Sequence, residues 1–491
     1  MNLSTARQRF HARLISPDPQ QQRSAILLLL LAGGLVAGLL VGVAGPIIAL
    51  GLAMVLIAGV IVLRSPLWGL VGIILIATLL PFATMPFKIV FTPSFLDLAI
   101  FAAFGVWALR YALAQETKFE LSALGTLVML FLFLAAFSFA LGLQYARPTS
   151  NNLRQFMEMI LSIALFFVVI NVARDKESLF LLARAVMLGG AGAALFGILF
   201  YVIPREATVW ILDKLARFGY PGGLGALRFV EDDPNGVMRA IGTSIDPNVF
   251  GGLLIMVGVI TLPQLAIKKP LLPRKWLATV VLLDVSALFL TISRGSLVGF
   301  VIGLVAIGLM RYRKLLLWGT LGALVLGILF LFLPFAQSYI QHFIEGVTLQ
   351  DRATLMRLGE YKDALTLIGR HPMLGVGFVG TPEIDLYIGV SSLYLLMAEE
   401  MGLVGVAAFL LTMLLFANML VTGLRHPHQD QRLEALMLGI LGALVGLLAA
   451  GVLDHYLFNL TYPHMTALLW IVVGLGVGAT QFARQVMENR V

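Results

Sequence analysis

The sequence has no cysteine in 491 residues, which removes disulfides, thiolate nucleophiles and cysteine metal sites from consideration. Charge is scarce as well. Only 12% of residues are charged against 59% hydrophobic, too few to solvate the surface of a water-soluble globule. Short alternating segments are missing too. Runs such as Ile26 to Val43 and Leu315 to Ala336 are continuously apolar, which excludes a membrane β-barrel. The first 23 residues contain Arg7, Arg9, Arg13 and Arg23 but no apolar core and no small-residue cleavage site, so they read as a retained cytoplasmic tail. No internal repeat or low-complexity linker marks a second domain. The expected organisation is a tail over 1–24, one transmembrane domain over 25–483 and a second tail over 484–491.

What the chain does have is apolar length. A hydrocarbon core about 30 Å thick asks for roughly 20 apolar residues per helix. Such runs occur near 25 to 43, 46 to 63, 67 to 84, 95 to 114, 121 to 143, 155 to 173 and 179 to 202. A second set follows near 248 to 267, 276 to 292, 296 to 310, 315 to 336, 403 to 424, 434 to 453 and 465 to 483. The expected fold class is therefore all-α, a polytopic transmembrane helical bundle of about 14 spans (12 to 14). Lys and Arg are held in short cytoplasmic loops, and Arg64, Arg110 with Lys118, Arg174 with Lys176, Lys268 to Lys275, Arg311 to Lys314, Arg425 with Arg432, and Arg484 fall in alternate loops. Both termini are then cytoplasmic. Much of the net charge of +8 is accounted for by this topology rather than by a nucleic-acid footprint. Ladders such as Gly34, Gly38 and Gly42 suit close helix packing.

With this orientation the long polar segments Pro204 to Pro247 and Gln337 to Val390 are extracytoplasmic, giving outer loops over 203–247 and 337–402. Asp454 to His464 falls on the same side. Apolar periodicity from Leu355 to Ile368 predicts a short surface helix within an outer lid. Arginines on this face run against the orientation rule and need a cause of their own. Arg239, Arg294, Arg352 and Arg357 stand out, and Arg294 is squeezed between two spans in Thr291-Ile292-Ser293-Arg294-Gly295. A guanidinium is a fixed donor fork matched to phosphate oxygens. The alternative for such a residue is a side chain snorkelling to lipid headgroups.

Three segments then carry a family resemblance. Arg239 to Gly252 (RAIGTSIDPNVFGG) holds a Gly…Asp-Pro-Asn sequence at the start of a span, and Thr291 to Ser296 (TISRGS) a Ser-Arg-Gly motif. The third runs from Arg357 and Tyr361 through Pro372, Gly375 and Gly377 to Ser391, Glu400, Gly402 and Gly405. In order and spacing these resemble the O-antigen ligase and O-antigen polymerase superfamily of bacterial membrane glycosyltransferases. The resemblance implies a GT-C-like helical fold in the bacterial inner membrane, an undecaprenyl-diphosphate-linked glycan as donor, a glycan or lipid as acceptor, and neither cofactor nor metal. It also implies that Arg294 and Arg357 act on the diphosphate. Arg239, Asp246, Asn248, Arg352, Ser391 and Tyr394 would bind substrate. Ligases of this type commonly carry a histidine where this chain has Ser391, and a serine hydroxyl is a poor base. His455, beside Asp454, is the leading substitute, with Glu400 and Glu399 the other candidates.

Other signals are set aside. Gly375-Val376-Gly377-Phe378-Val379-Gly380 spells a dinucleotide-binding motif, yet no strand precedes it. His455 and His464 lack zinc-ligand spacing, and the sequon Asn459-Leu460-Thr461 requires a secretory eukaryotic context. Asp97, Arg184 and Asp284 lie within apolar runs, where ionisable residues often line ion paths, so a transporter or flippase of lipid-linked glycan is the rival from another class. Their depths instead suggest that Arg184 and Asp284 pair with each other, and no inverted halves are visible. A polymerase of surface polysaccharide is the favoured reading, with ligase the alternative.

Overall fold

The computed structural model describes residues 59–314 apart from 87, 89 and 114–118, then 352–380, 389–425 and 430–488, with isolated residues before 59 and between 317 and 332. Most of the spans expected near 25 to 43, 46 to 63 and 315 to 336, and the lid segments 337–351 and 381–388, lie outside the described residues. The chain divides into two units, Met1–Ser65 and Pro66–Val491. In the first, 59–64 is helical.

Among its described residues the second unit is mainly helical. Its helices are α1 (Pro66–Leu79), α2 (Phe95–Ala112), α3 (Ala123–Gly142), α4 (Ser150–Val172), α5 (Lys176–Val202) and α6 (Arg205–Leu215), followed by α7 (Pro247–Ala266), α8 (Arg274–Thr291) and α9 (Arg294–Met310). Then come α10 (Arg352–Arg370), α11 (Leu393–Arg425), α12 (Gln431–Ala450) and α13 (Pro463–Glu488). Among the described residues eight helices are long and apolar enough to cross a membrane, and α1 and α9 are shorter apolar helices. The protein is thus a multi-pass α-helical membrane protein. Helix starts carry the polar caps that satisfy the first orphan amides: Ser94, Ser122, Thr149, Asp175, Asp246, Ser293 and Asp430 each accept from a backbone N–H of the following turn. The only strands among the described residues are β1 (Arg228–Phe229) and β2 (Met238–Arg239), an antiparallel pair with Arg228 opposite Arg239.

Two of the intramembrane charges have local explanations. Asp97 closes a capping box at the start of α2, its Oδ2 accepting the Ser94 N–H at 2.7 Å and Arg154 Nη1 at 2.9 Å. Arg184 and Asp284 do not pair. The arginine reaches along its helix to donate Nε–H to the Leu271 carbonyl at 2.9 Å, with Glu177 3.9 Å from Nη2. Asp284 is fully buried, and neither of its carboxyl oxygens has a hydrogen-bond partner. Depth along an axis gave the two residues similar heights; the long arginine stem carries its charge away from that height.

Glycine sets the closest helix approach. A Cβ on Gly299 of α9 would lie 2.7 Å from the Gly446 carbonyl of α12, and one on Gly303 2.8 Å from that of Gly442. Lipid supplies no hydrophobic drive between helices, so such backbone contact is the means of association. Gly446→Val therefore forces α9 and α12 apart. We expect at least the ~1–3 kcal/mol of an overpacked core, read as a lower thermal midpoint of the protein in detergent.

The Gly375–Gly380 segment has a structural use. Helix α11 breaks at Gly402, whose φ of 68° is left-handed. The break frees the Glu399 and Glu400 carbonyls, which accept the Val376 and Gly377 N–H groups at 2.8 and 2.9 Å. In return Leu403 N–H donates to Pro372 O at 2.8 Å and Val404 N–H to Met373 O at 3.3 Å. The glycine-rich run is a backbone splint on a broken helix, and it satisfies the groups that lipid could not.

Candidate active site

Two interhelical turns build the base of the site. At the first, Asp246 caps α7: its Oδ1 accepts the N–H groups of Asn248 at 2.8 Å and Val249 at 3.0 Å. At the second, α8 ends and α9 begins within three residues, and Ser293 caps α9 so that Arg294 occupies the first helical position. Both turns place an isoleucine in the left-handed region, Ile245 at φ 59° and Ile292 at φ 53°. A β-branched residue is ill suited to that region, and strain of about 1–3 kcal/mol each persists only where surroundings enforce it. Here the two capped helices do so.

Arg239 ties the two turns together. From the end of β2 its Nε donates to the Thr291 carbonyl at 2.9 Å and its Nη2 to Asn248 Oδ1 at 2.8 Å. Burial pulls its guanidinium down to about 10, with the Asp246 and Asp454 carboxylates pulling the other way, so it stays charged at neutral pH.

Helix α10 brings a third arginine, Arg357. The helix is anchored one turn further on, where the Tyr361 hydroxyl donates to Ser391 O at 3.3 Å and Val452 O at 3.2 Å, and Glu360 Oε2 accepts the Ser391 N–H at 3.0 Å. Beyond the end of α12 the chain turns back, and Leu393 N–H donates to Gly451 O at 2.8 Å and Asp454 O at 2.9 Å. This turn presents Asp454. Its carboxyl is raised to about 7 by burial and then by the Asp246 charge, against the opposing pull of Arg357 and Arg239.

These elements enclose a cavity of about 560 Å³, counting the space at its mouth. Arg239, Arg294 and Arg357 line it together with Asn248, Ser293, Ser296, Asp454, Tyr456 and, from the β1–β2 hairpin, Glu231. Three guanidinium groups and the N-terminus of α9 face one space, an arrangement that binds a polyanion through fixed donors and a helix dipole. Among the described residues no group of three or more His, Asp or Glu side chains is placed to hold a metal ion.

Residues 277–410 match the family model described as O-antigen ligase. The match supports membership of the O-antigen ligase and polymerase superfamily. It covers α8, α9, α10 and the start of α11, and with them Arg294 and Arg357. No curated protein matches the chain. Members of the O-antigen ligase family are glycosyltransferase-like enzymes, which suggests for this chain a role in glycan transfer during polysaccharide biosynthesis.

Several residues singled out in the sequence lie outside the cavity lining. Ser391 contributes its backbone to the α10 anchor, and the Tyr394 hydroxyl donates to Leu448 O at 2.7 Å, bracing α12. Glu400 is buried beside the Gly402 break, where its carbonyl accepts from Gly377 and from the Ser138 hydroxyl. Arg352 opens α10, and its side chain lies outside the described residues. His455 sits behind Asp454, its Nδ1 3.6 Å from the carboxylate, and burial lowers its imidazole so that it is neutral. The lining residues that sequence reasoning passed over are Asp454, Tyr456 and Glu231. Asp454 was visible only as a neighbour of His455.

Proposed function

We propose that this protein transfers an oligosaccharide from a polyprenyl diphosphate to an acceptor hydroxyl, without a metal ion, at the extracytoplasmic face of the bacterial inner membrane. The observation that carries the reading is the meeting of Arg239, Arg294 and Arg357 with Asp454, whose carboxyl is raised to about 7, in one cavity. In the proposed step the acceptor oxygen attacks the anomeric carbon as its proton passes to Asp454. The bond from that carbon to the phosphate oxygen breaks, and the diphosphate departs with the electron pair. The arginines hold the charge that grows on it, an electrostatic role in which preorganised donors serve best. A diphosphate leaves readily, so no general acid is required of the site. Loop charge supports the choice of face, since the cavity lies at the ends of α7, α8 and α9 remote from the basic loops.

Polymerisation of a surface polysaccharide is the form we favour, because the position of the ligase histidine holds Ser391, used here through its backbone. The family description favours ligation to lipid A core as the second form. Purified protein in liposomes with a labelled lipid-linked oligosaccharide separates them. A ladder of products is expected. A single transfer to added lipid A core would establish the ligase instead, and movement across the bilayer without covalent change would overturn glycosyl transfer.

A further inference from the structure

Among the described residues the cavity lining holds two acidic side chains, Asp454 and Glu231. Asp454 has a part in the proposed step and Glu231 has none. Glu231 is exposed as well as lining, so it stands at the mouth of the space that Arg239, Arg294 and Arg357 share. The β1–β2 hairpin fixes it there. Glu231 and the next residue, Asp232, both lie in the left-handed region, at φ 57° and 58°, a conformation that non-glycine residues keep only where the surroundings enforce it. Within the hairpin tip, Val230 N–H donates to Val237 O at 2.9 Å, Asp233 N–H to Val230 O at 3.2 Å and Gly236 N–H to Asp233 O at 2.8 Å. At its base Phe229 and Met238 are buried in an apolar cluster with Leu212 and Tyr220. Arg205 of α6 lies over the Phe229 ring and donates to Pro234 O at 3.1 Å and Gly236 O at 3.3 Å. The returning strand ends in Arg239, itself pinned to Thr291 and Asn248. A carboxylate is thus held in place at the opening of a cavity that three arginines line.

The diphosphate changes its charge during glycosyl transfer. When the anomeric C–O bond breaks and the oxygen keeps the electron pair, the spent carrier gains one negative charge over the donor. Three arginines alone would therefore hold the product more tightly than the substrate and slow its exit, a step that often limits turnover. A fixed carboxylate opposes each added negative charge, so it weakens the product more than the donor. We propose that Glu231 is a specificity residue that discriminates the glycan-bearing donor from the spent polyprenyl diphosphate and so promotes release of the product. Asp454 does not serve this purpose, because it takes up the acceptor proton as the diphosphate gains its charge. The proposal rests on the glycosyl-transfer reading and accounts for the exit of its by-product.

The test uses the full protein in liposomes near pH 8, where a terminal phosphate is ionised. Transfer from a labelled lipid-linked oligosaccharide, and its inhibition by added undecaprenyl diphosphate, are measured for wild type, Glu231→Gln and Glu231→Lys, with thermal unfolding in detergent as the control for folding. The ratio of the inhibitor's Ki to the donor's KM is expected to fall about three- to tenfold in Glu231→Gln and further in Glu231→Lys, in step with the charge removed. With enzyme in excess over donor, the first turnover of Glu231→Gln should be no slower than that of wild type, because the carboxylate also opposes the charge that grows in the transition state. An unchanged ratio in both variants would overturn the proposal. So would a slower first turnover with an unchanged Ki, which would make Glu231 a contact to the donor's sugar. Absence of transfer by wild type would instead overturn the glycosyl-transfer reading on which the proposal stands.

Discussion

Arg294→Ala and Arg357→Ala are each expected to lower glycan transfer by about 10³-fold, the scale on which removal of a preorganised charge-stabilising donor acts. Both side chains line the cavity from different elements, Arg294 from the first turn of α9 and Arg357 from α10. Their loss should appear mainly in kcat, because charge on the diphosphate grows as the anomeric bond breaks. Lysine at either position keeps the charge and loses the planar fork, so Arg294→Lys and Arg357→Lys should recover only part of the rate. The measurement is single-turnover transfer by reconstituted protein, with thermal unfolding in detergent as the control for folding. Wild-type rates in both alanine variants would remove the diphosphate clamp from the mechanism.

Arg239 is the wrong residue for that test. Its donors already serve the Thr291 carbonyl and Asn248 Oδ1, and they join the two turns that hold Ile245 and Ile292 in left-handed conformations. Truncating it leaves a buried carbonyl without its partner, which costs roughly 1–3 kcal/mol of stability before any effect on substrate. Strain at these turns and charge in the cavity are thus linked through a single side chain.

Much of this arrangement was legible in the sequence, for reasons that can be stated residue by residue. Apolar run length located α7, α8 and α9 to within two residues of their observed bounds, and the period of Leu355 to Ile368 located α10. The arginines whose position runs against the expected loop-charge pattern drew notice for that reason, and three of them meet in one cavity. What the sequence concealed was azimuth and partner. In the irregular turn after α12 no helical period says which of Asp454 and His455 faces inward, so the more familiar base drew attention from the carboxylate. The hydrogen bonds from Val376 and Gly377 to the Glu399 and Glu400 carbonyls are invisible for a similar reason. Backbone pairing across some two dozen residues leaves no side-chain signature except glycine. Height in the membrane, likewise, did not tell whether Arg184 would turn toward Asp284 or toward the Leu271 carbonyl.

Asp454→Asn separates catalysis from folding because the two should move in opposite directions. Burial holds this carboxyl at about 7 in the folded protein against an ordinary value of 3.8. Its folded value is raised, so folding favours the protonated form. Below the ordinary value both states are protonated and the group costs nothing; as pH rises toward the folded value the cost grows, and above it the cost is constant. Asparagine carries no such cost, so the variant should match wild type near pH 4 and exceed it in thermal stability at pH 8. Activity should behave otherwise. If ionised Asp454 takes the acceptor proton, wild-type kcat/KM rises with unit slope up to about 7 and then levels, since that ratio reports the free enzyme. A bound diphosphate adds negative charge beside the carboxyl and raises it further, which places the limb in kcat at higher pH. In Asp454→Asn the limb should vanish and the plateau fall by roughly 10²–10⁴, the usual contribution of a positioned base. A variant that kept the wild-type limb would move the base to another group. One that lost activity and stability together at pH 8 would make Asp454 a structural residue, since the loss would then follow the fold rather than the proton.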